Sequence, residues 1–251
     1  MAGGIIVTVT ATETNGLMPL QVNGLGLSRD GRALLRDIDF CLQAGRITAV
    51  LGPNGAGKTL LLRLLCGLIA PDAGRIDWHG LDPRAAMPRL GLVLQRPVML
   101  RRSARANIEF ALARRGLPRA ERRTRAETAL DWAGLSGLAR QPAPRLSGGE
   151  AQRLAIVRAW AQQPEVLCLD EPCANLDPSS SQAVETLIHR IHAAGTRVIF
   201  TGHDMGQTRR LADDVLFLAS GRLCEHTPAA VFFERPATPE AAAYLEGRLL
   251  T

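Results

Sequence analysis

The hydrophobic positions of this 251-residue chain fall into short apolar runs separated by turn residues. Runs that predict strands are LQVNGLGLS (20–28), IDFCLQ (38–43), RITAVLG (46–52), LGLVLQ (90–95), EVLCLD (165–170), RVIFTG (197–202) and DVLFLAS (214–220). Several are continuous rather than alternating, which is the pattern of strands covered on both faces. Helical periodicity follows at 57–69, 178–194 and 204–212, and strands alternating with helices predict an α/β fold on a mostly parallel sheet. Between residues 96 and 160 the strand pattern stops. SARANIEFALARRG, RAERRTRAETALDWAGL and the segment opened by RLSGGEAQR are all helical in period, so a helical insertion divides the core. The tail, AAVFFERPATPEAAAYLEGRLL, predicts two short helices around a proline turn. The expected organisation is a core of residues 18–95 and 161–235, a helical subdomain at 96–160, a C-terminal helix at 236–251 and a flexible N-terminal extension at 1–17. Met1 and Met18 are both candidate translation starts.

Composition narrows the class of protein. At 46% hydrophobic residues the chain can bury a full α/β core. Its most apolar segment, TLLLRLLCGLIA at 59–70, is broken by Arg63 and Gly67, and no run reaches the roughly 18 apolar residues of a membrane span. The N-terminus has neither the basic start nor the apolar centre of a secretory signal. A net charge of +6 without any block of five basic residues is weak support for nucleic acid as a partner. Lys58 is the only lysine, so every other basic residue among the 30 is arginine. A chain that otherwise dispenses with lysine keeps one in a glycine loop, where a compact ammonium suits a phosphate oxygen. Cys41, Cys66, Cys168, Cys173 and Cys224 form no CxxC pair and are expected as free, mostly buried thiols in a reducing compartment. His189 and His192 share a helical face without a third ligand nearby, which fits a solvated surface better than a metal site.

The chemistry concentrates in a few motifs. GPNGAGKT, between a predicted strand and a predicted helix, fits G-x-x-x-x-G-K-[ST], so Gly52, Pro53, Asn54, Gly55, Ala56, Gly57, Lys58, Thr59 and Leu60 are the candidate phosphate-binding residues. Backbone N–H groups from Gly55 to Thr59 would cradle phosphate oxygens, Lys58 would reach the β and γ groups, and the Thr59 hydroxyl would bind Mg²⁺. A metal held by one hydroxyl needs a carboxylate close by, and VLCLDE ends a buried strand with two. Asp170 is the candidate metal ligand, and Glu171 is the candidate general base that orients an attacking water. His203, after VIFTG, and Gln95, at the end of LGLVLQ, are expected on the same strand edge. RLSGGEAQR is a capping box, with Ser147 as N-cap and Glu150 three residues on. Its two glycines each cost about 1 kcal/mol in a helix, which suggests exposed N–H groups that meet a second anion.

Taken in order, GPNGAGKT, Gln95, LSGGEAQR, VLCLDEP, NLDP and His203 resemble the ATPase subunit of an ATP-binding cassette (ABC) transporter, over about residues 18–235. The resemblance implies a P-loop NTPase (RecA-like) core with a mostly parallel sheet, an antiparallel β subdomain and an inserted α-helical subdomain. It implies ATP as substrate, Mg²⁺ as cofactor, and a head-to-tail homodimer sharing two ATP sites. In that arrangement Ser147, Gly148, Gly149 and Glu150 contact the γ-phosphate of ATP held by the other protomer, and Asp177 lies between protomers. Gln95 would contact the Mg²⁺ and water region, and RPVMLRRSARAN (96–107) would line a groove for a short helix of the membrane subunit, a solvated helix start being the equal alternative for its arginines. One position departs from the family: Arg29 stands where an aromatic residue usually stacks on adenine, and a guanidinium would have to take its place.

A single cassette without a span is similar to the energy-coupling subunits of bacterial importers, peripheral on the cytoplasmic face of the inner membrane. Such a subunit works with integral-membrane permease subunits and a periplasmic or lipid-anchored solute-binding protein. FFERPATPEAAAYLEG and GHDMGQTRRLADDVLFLASGRLCEH look most like tungstate and other oxyanion importers, with molybdate, phosphate and amino acids as further candidates. A soluble ABC ATPase acting on nucleic acid or ribosomes is the alternative of a different class, but neither sustained heptads nor a duplicated cassette is present. An exporter or lipoprotein-release ATPase would share the same motifs.

Overall fold

The computed structural model of the chain describes residues 16–248. β1 (Leu20–Arg29) and β2 (Arg32–Leu42) form an antiparallel hairpin, β3 (Ile47–Leu51) leads into α1 (Lys58–Leu65), and β4 (Ala73–Trp78) returns beside β1. A short α2 (Pro83–Ala86) precedes β5 (Leu90–Val93), after which α3 (Ala104–Ala113), α4 (Arg119–Trp132) and α5 (Gly148–Trp160) follow without an intervening strand. β6 (Val166–Leu169), α6 (Pro178–Ala193), β7 (Arg197–Gly202), α7 (Met205–Leu211), β8 (Asp214–Ala219), β9 (Arg222–Pro228), α8 (Ala229–Glu234) and α9 (Pro239–Leu245) complete the described chain.

Six strands make the central sheet in the order β5-β6-β7-β3-β8-β9. Its neighbours pair in parallel except β8 with β9, which form a hairpin. β3, β6, β7 and β8 are buried at every position, which is why they show as continuous apolar runs. Alternate residues serve two cores. Leu51, Leu169, Phe200 and Phe217 face one that includes the helical insertion, α6, α8 and α9. Val50, Cys168, Ile199 and Leu216 face the other, formed with α1 and the small antiparallel sheet β2-β1-β4. The fold is therefore the α/β architecture expected, with a mostly parallel sheet, a separate antiparallel sheet and a run of helices between β5 and β6. No helix among the described residues is long and apolar enough to cross a membrane.

Three details differ from the sequence expectation. β4 and β9 escape the apolar pattern because each exposes most of one side: in β4 only Ile76 and Trp78 are buried, and in β9 only Glu225. β2 starts at Arg32, earlier than the apolar run at 38–43, because its first half is largely exposed hairpin. Leu17, assigned from sequence to the extension at 1–17, is buried, and its amide donates to Glu165 Oε2 at 3.1 Å. Residues 1–15 of that predicted extension lie outside the described residues. Of the cysteines, Cys66 and Cys168 are buried as expected, whereas Cys41 is exposed on β2 because its side chain falls on the outward face of the small sheet.

Candidate functional site

The central sheet delivers several loops to the C-terminal edge of its parallel strands, the edge at which sheets of this kind hold ligands. β3 ends at Leu51, and the glycine loop follows. A Cβ on Gly52 would stand 2.1 Å from the Leu218 carbonyl oxygen, so this loop can lie against β8 only with glycine there. Gly57, at φ 103°, enters α1 in the left-handed region and has no side chain with which to cap the helix. The N–H groups of Lys58, Thr59 and Leu60 therefore point out of the helix end without an intrahelical carbonyl, at the positive end of its dipole. Lys58 is only 5% exposed, and its ammonium donates to the Gly52 and Pro53 carbonyls at 2.8 and 3.0 Å. Burial lowers its pKa, while Glu171 and Asp170 work in the opposite direction. Asn54, Gly55, Gly57, Lys58, Thr59, Leu60 and Glu171 enclose a cleft of about 200 Å³.

The ends of β5, β6 and β7 complete the edge. Thr59 Oγ1 donates toward both oxygens of Asp170, at 2.9 and 3.1 Å, and Thr201 Oγ1 donates to Asp170 Oδ1 at 2.7 Å. Asp170 itself is buried. Glu171 takes the left-handed backbone conformation, at φ 45°, directly after the strand. Its amide donates to Thr201 Oγ1 at 2.9 Å, and that turn sends its carboxylate toward Gln95 and His203. Gln95 Nε2 donates to Glu171 Oε2 at 2.9 Å, and His203 Nδ1 lies 3.4 Å from the same oxygen. Thr201 is a site residue that the sequence reading missed. Its only sequence signal is a hydroxyl inside the otherwise apolar VIFTG, where it is fully buried.

Other predicted residues lie apart from this edge. Ser147, Gly148 and Glu150 open α5, and the predicted capping box is present: Glu150 N donates to Ser147 Oγ at 3.3 Å and Ser147 N donates to Glu150 Oε2 at 2.8 Å. Neither they nor Gly149 line the cleft beside Lys58. Asp177 caps α6, and the hydroxyls of Ser179 and Ser180, with the Ser180 amide, hold its carboxyl well below the usual carboxylate range. Arg29 does not reach the glycine loop. Its guanidinium donates to the Ser28 carbonyl at 2.8 Å and stands 3.7 Å from Asp72, which precedes β4 and also accepts from the Ser28 amide. The groove of about 460 Å³ beside the glycine loop is instead walled by Arg32, Leu34, Arg36, Asn54 and Ser220, with no aromatic residue among its described lining.

The donor set fits a phosphate chain with a hard divalent cation. Free N–H groups and one buried ammonium would meet phosphates, while a hydroxyl and a carboxylate, 2.9 Å apart, would offer oxygen ligands of the number Mg²⁺ takes when phosphates and water supply the rest. No group of three His, Cys, Asp or Glu residues that could hold a metal by itself occurs among the described residues.

Comparison with known proteins agrees with this chemistry. The family model described as ABC transporter matches residues 35–174. The phosphate import ATP-binding protein PstB 2 of Natronomonas pharaonis is 35% identical over 248 residues, covering 92% of this chain and 87% of that protein. The tungstate uptake system ATP-binding protein TupC of Peptoclostridium acidaminophilum is 36% identical over 210 residues, covering 83% and 98%. Other relatives are named for import of iron, methionine and nickel. Among solved structures, cbiO1 from Clostridium perfringens, described as part of the ABC transporter complex cbiONQ, superimposes with a TM-score of 0.80 at 29% identity, covering 89% of this chain and 93% of that one.

Proposed function

This chain belongs to the ABC transporter family, and we propose on that basis that it is the ATP-hydrolysing subunit of an importer for an oxyanion, tungstate or a close chemical relative. The observation that carries the enzymatic part is the convergence of Lys58, Thr59 and Glu171 around one cleft, with Asp170 bonded to Thr59 although 111 positions separate them. The tungstate part rests on TupC being 36% identical over 98% of its own length, together with a tail that resembles oxyanion importers.

Each residue then has a task. The N–H groups of the glycine loop and the first turn of α1 hold the phosphates, and the Lys58 ammonium exchanges a backbone carbonyl for a β- or γ-phosphate oxygen. Thr59 and Asp170, with Gln95 at the rim, would hold Mg²⁺, which when bound neutralises charge on the phosphates. Glu171 Oε2 accepts the proton of a water whose oxygen attacks the γ-phosphorus, and the bond to the β-bridging oxygen breaks to leave ADP. His203 and Gln95, both within reach of that oxygen, fix its direction. The nucleoside lies in the groove walled by Arg32 and Arg36.

Ser147 to Glu150 and Asp177 lie away from the cleft in the same chain, which supports a head-to-tail pair in which each copy completes the other's site. The pair sits against permease subunits on the cytoplasmic face of the membrane. On this reading the chain divides into a nucleotide core of 18–95 and 161–235, a signature subdomain of 96–160, an N-terminal extension of 1–17 and a C-terminal helix of 236–251.

The test is an uptake assay in cells lacking this subunit. The wild-type chain should restore tungstate accumulation, and Lys58→Ala should not. Restoration of phosphate or methionine uptake without tungstate uptake would reject the substrate assignment. Full uptake with Lys58→Ala would reject the energising role.

A further inference from the structure

Tyr244, the only tyrosine of the chain, sits on α9 and donates its phenolic hydrogen to the backbone carbonyl of His203 at 3.0 Å. The imidazole of that same residue stands 3.4 Å from Glu171 Oε2. One loop residue is thus held at its carbonyl by the C-terminal helix while its side chain stands beside the base.

The grip is stiff on the helix side. The Tyr244 ring lies 5.2 Å from Phe217 of β8, a fully buried residue that also meets Phe232 of α8 at 5.5 Å. The start of α9 is fixed separately, because Ala237 and Thr238 N–H groups donate to Glu225 Oε2 of β9 at 2.9 and 3.3 Å. His203 itself is 53% exposed at its side chain and has no such packing of its own. A loop residue of that kind drifts unless something holds its backbone.

We propose that Tyr244 is a positioning residue for hydrolysis. By holding the His203 carbonyl it sets the separation of the imidazole from Glu171, so the last helix of the chain, outside the nucleotide core, governs turnover. The inference rests on the roles given above to His203 and Glu171.

Tyr244→Phe keeps the ring and its packing and removes only the hydroxyl. Loss of one hydrogen bond that matters in the transition state should lower kcat about fivefold. KM for ATP should not move. His203→Ala should lose most turnover, and adding Tyr244→Phe to it should change kcat no further. Wild-type kcat in Tyr244→Phe, or an equal fall in both backgrounds, overturns the positioning role while leaving His203 in place. Wild-type kcat in His203→Ala overturns the reading of the site itself, and this inference with it.

Discussion

A Cβ on Gly149 would stand 2.4 Å from the Ser180 hydroxyl oxygen and 2.6 Å from Ser180 Cβ. Ser180 cannot simply turn aside, since that hydroxyl donates to Asp177 Oδ2 at 2.7 Å. One glycine of the SGG sequence is therefore demanded by the contact of α5 with α6, whatever ligand approaches. The other is not: at Gly148 the nearest atom to an added Cβ is Leu176 Cδ2, at an ordinary 3.7 Å. Gly149→Ala should lose about 1–3 kcal/mol of stability through overpacking, measured by urea unfolding. Gly148→Ala should unfold at the wild-type midpoint or above it, yet lose ATPase activity if this turn meets phosphate in the partner's site. Equal stability of the two variants would contradict the packing account.

Glu171 offers a sharper test of the chemistry. Its Oε2 accepts from Gln95 at 2.9 Å and stands 3.4 Å from His203, whereas the ammonium and N–H groups proposed to hold phosphate come from Lys58 and the glycine loop. Glu171→Gln replaces a proton acceptor by an amide of the same shape. ATP binding should persist and turnover should fall by about 100-fold or more, the usual contribution of a general base. A single-turnover assay with measured ATP affinity checks both halves. Hydrolysis at the normal rate would remove Glu171 from that role.

Much of this was legible in the sequence because it depends on local rules. Strands buried on both faces leave continuous apolar runs, and a strand, a G-x-x-x-x-G-K-[ST] loop and a helix in succession are a local signal for a phosphate cradle. What stayed hidden depends on contacts between distant segments. Thr201 is an ordinary strand residue until β7 places it 2.7 Å from Asp170. The second glycine of SGG suggests a ligand until α6 is seen beside it. Arg29 aligns with a stacking position, but its guanidinium lies 3.7 Å from Asp72 and outside the lining of the groove beside the glycine loop, and alignment carries no information about that placement. β4 and β9 escape for the opposite reason: sheet edges keep polar faces, so apolar periodicity is weak where exposure is high.

At the other end of the sheet, Asp214 should shape stability in acid. Burial opposes its charge, but the His226 imidazole 3.7 Å away, a hydrogen bond from Thr48 at 2.6 Å and the Arg197 guanidinium outweigh burial and lower its pKa. A carboxyl depressed in the fold stabilises it fully above its unfolded pKa, about 3.9, and that contribution is lost as pH falls through the lower folded value. Asp214→Asn should therefore flatten the acid limb of a Tm-against-pH curve. An acid limb as steep as that of the wild-type chain would show that other carboxylates control it.

Tyr244 should shape the alkaline limb. Burial, and then the negative charges of Asp204 and Glu171, push its phenol up to about 12. In the unfolded chain the phenol titrates at about 10, so between these values the unfolded state releases a proton that the folded state keeps. The state that binds more protons is disfavoured as pH rises. Its contribution is thus present in full below about pH 10 and is lost as pH climbs through the folded value. With a single tyrosine in the chain, the near-ultraviolet absorbance of phenolate reports this group alone. The step should appear near 12 in the folded protein and shift down by about two units in denaturant. Tyr244→Phe should abolish the step and soften the alkaline loss of stability together. A folded-state step at the unfolded position would mean that the hydroxyl is free in solution, and the hydrogen bond to His203 would not survive that result.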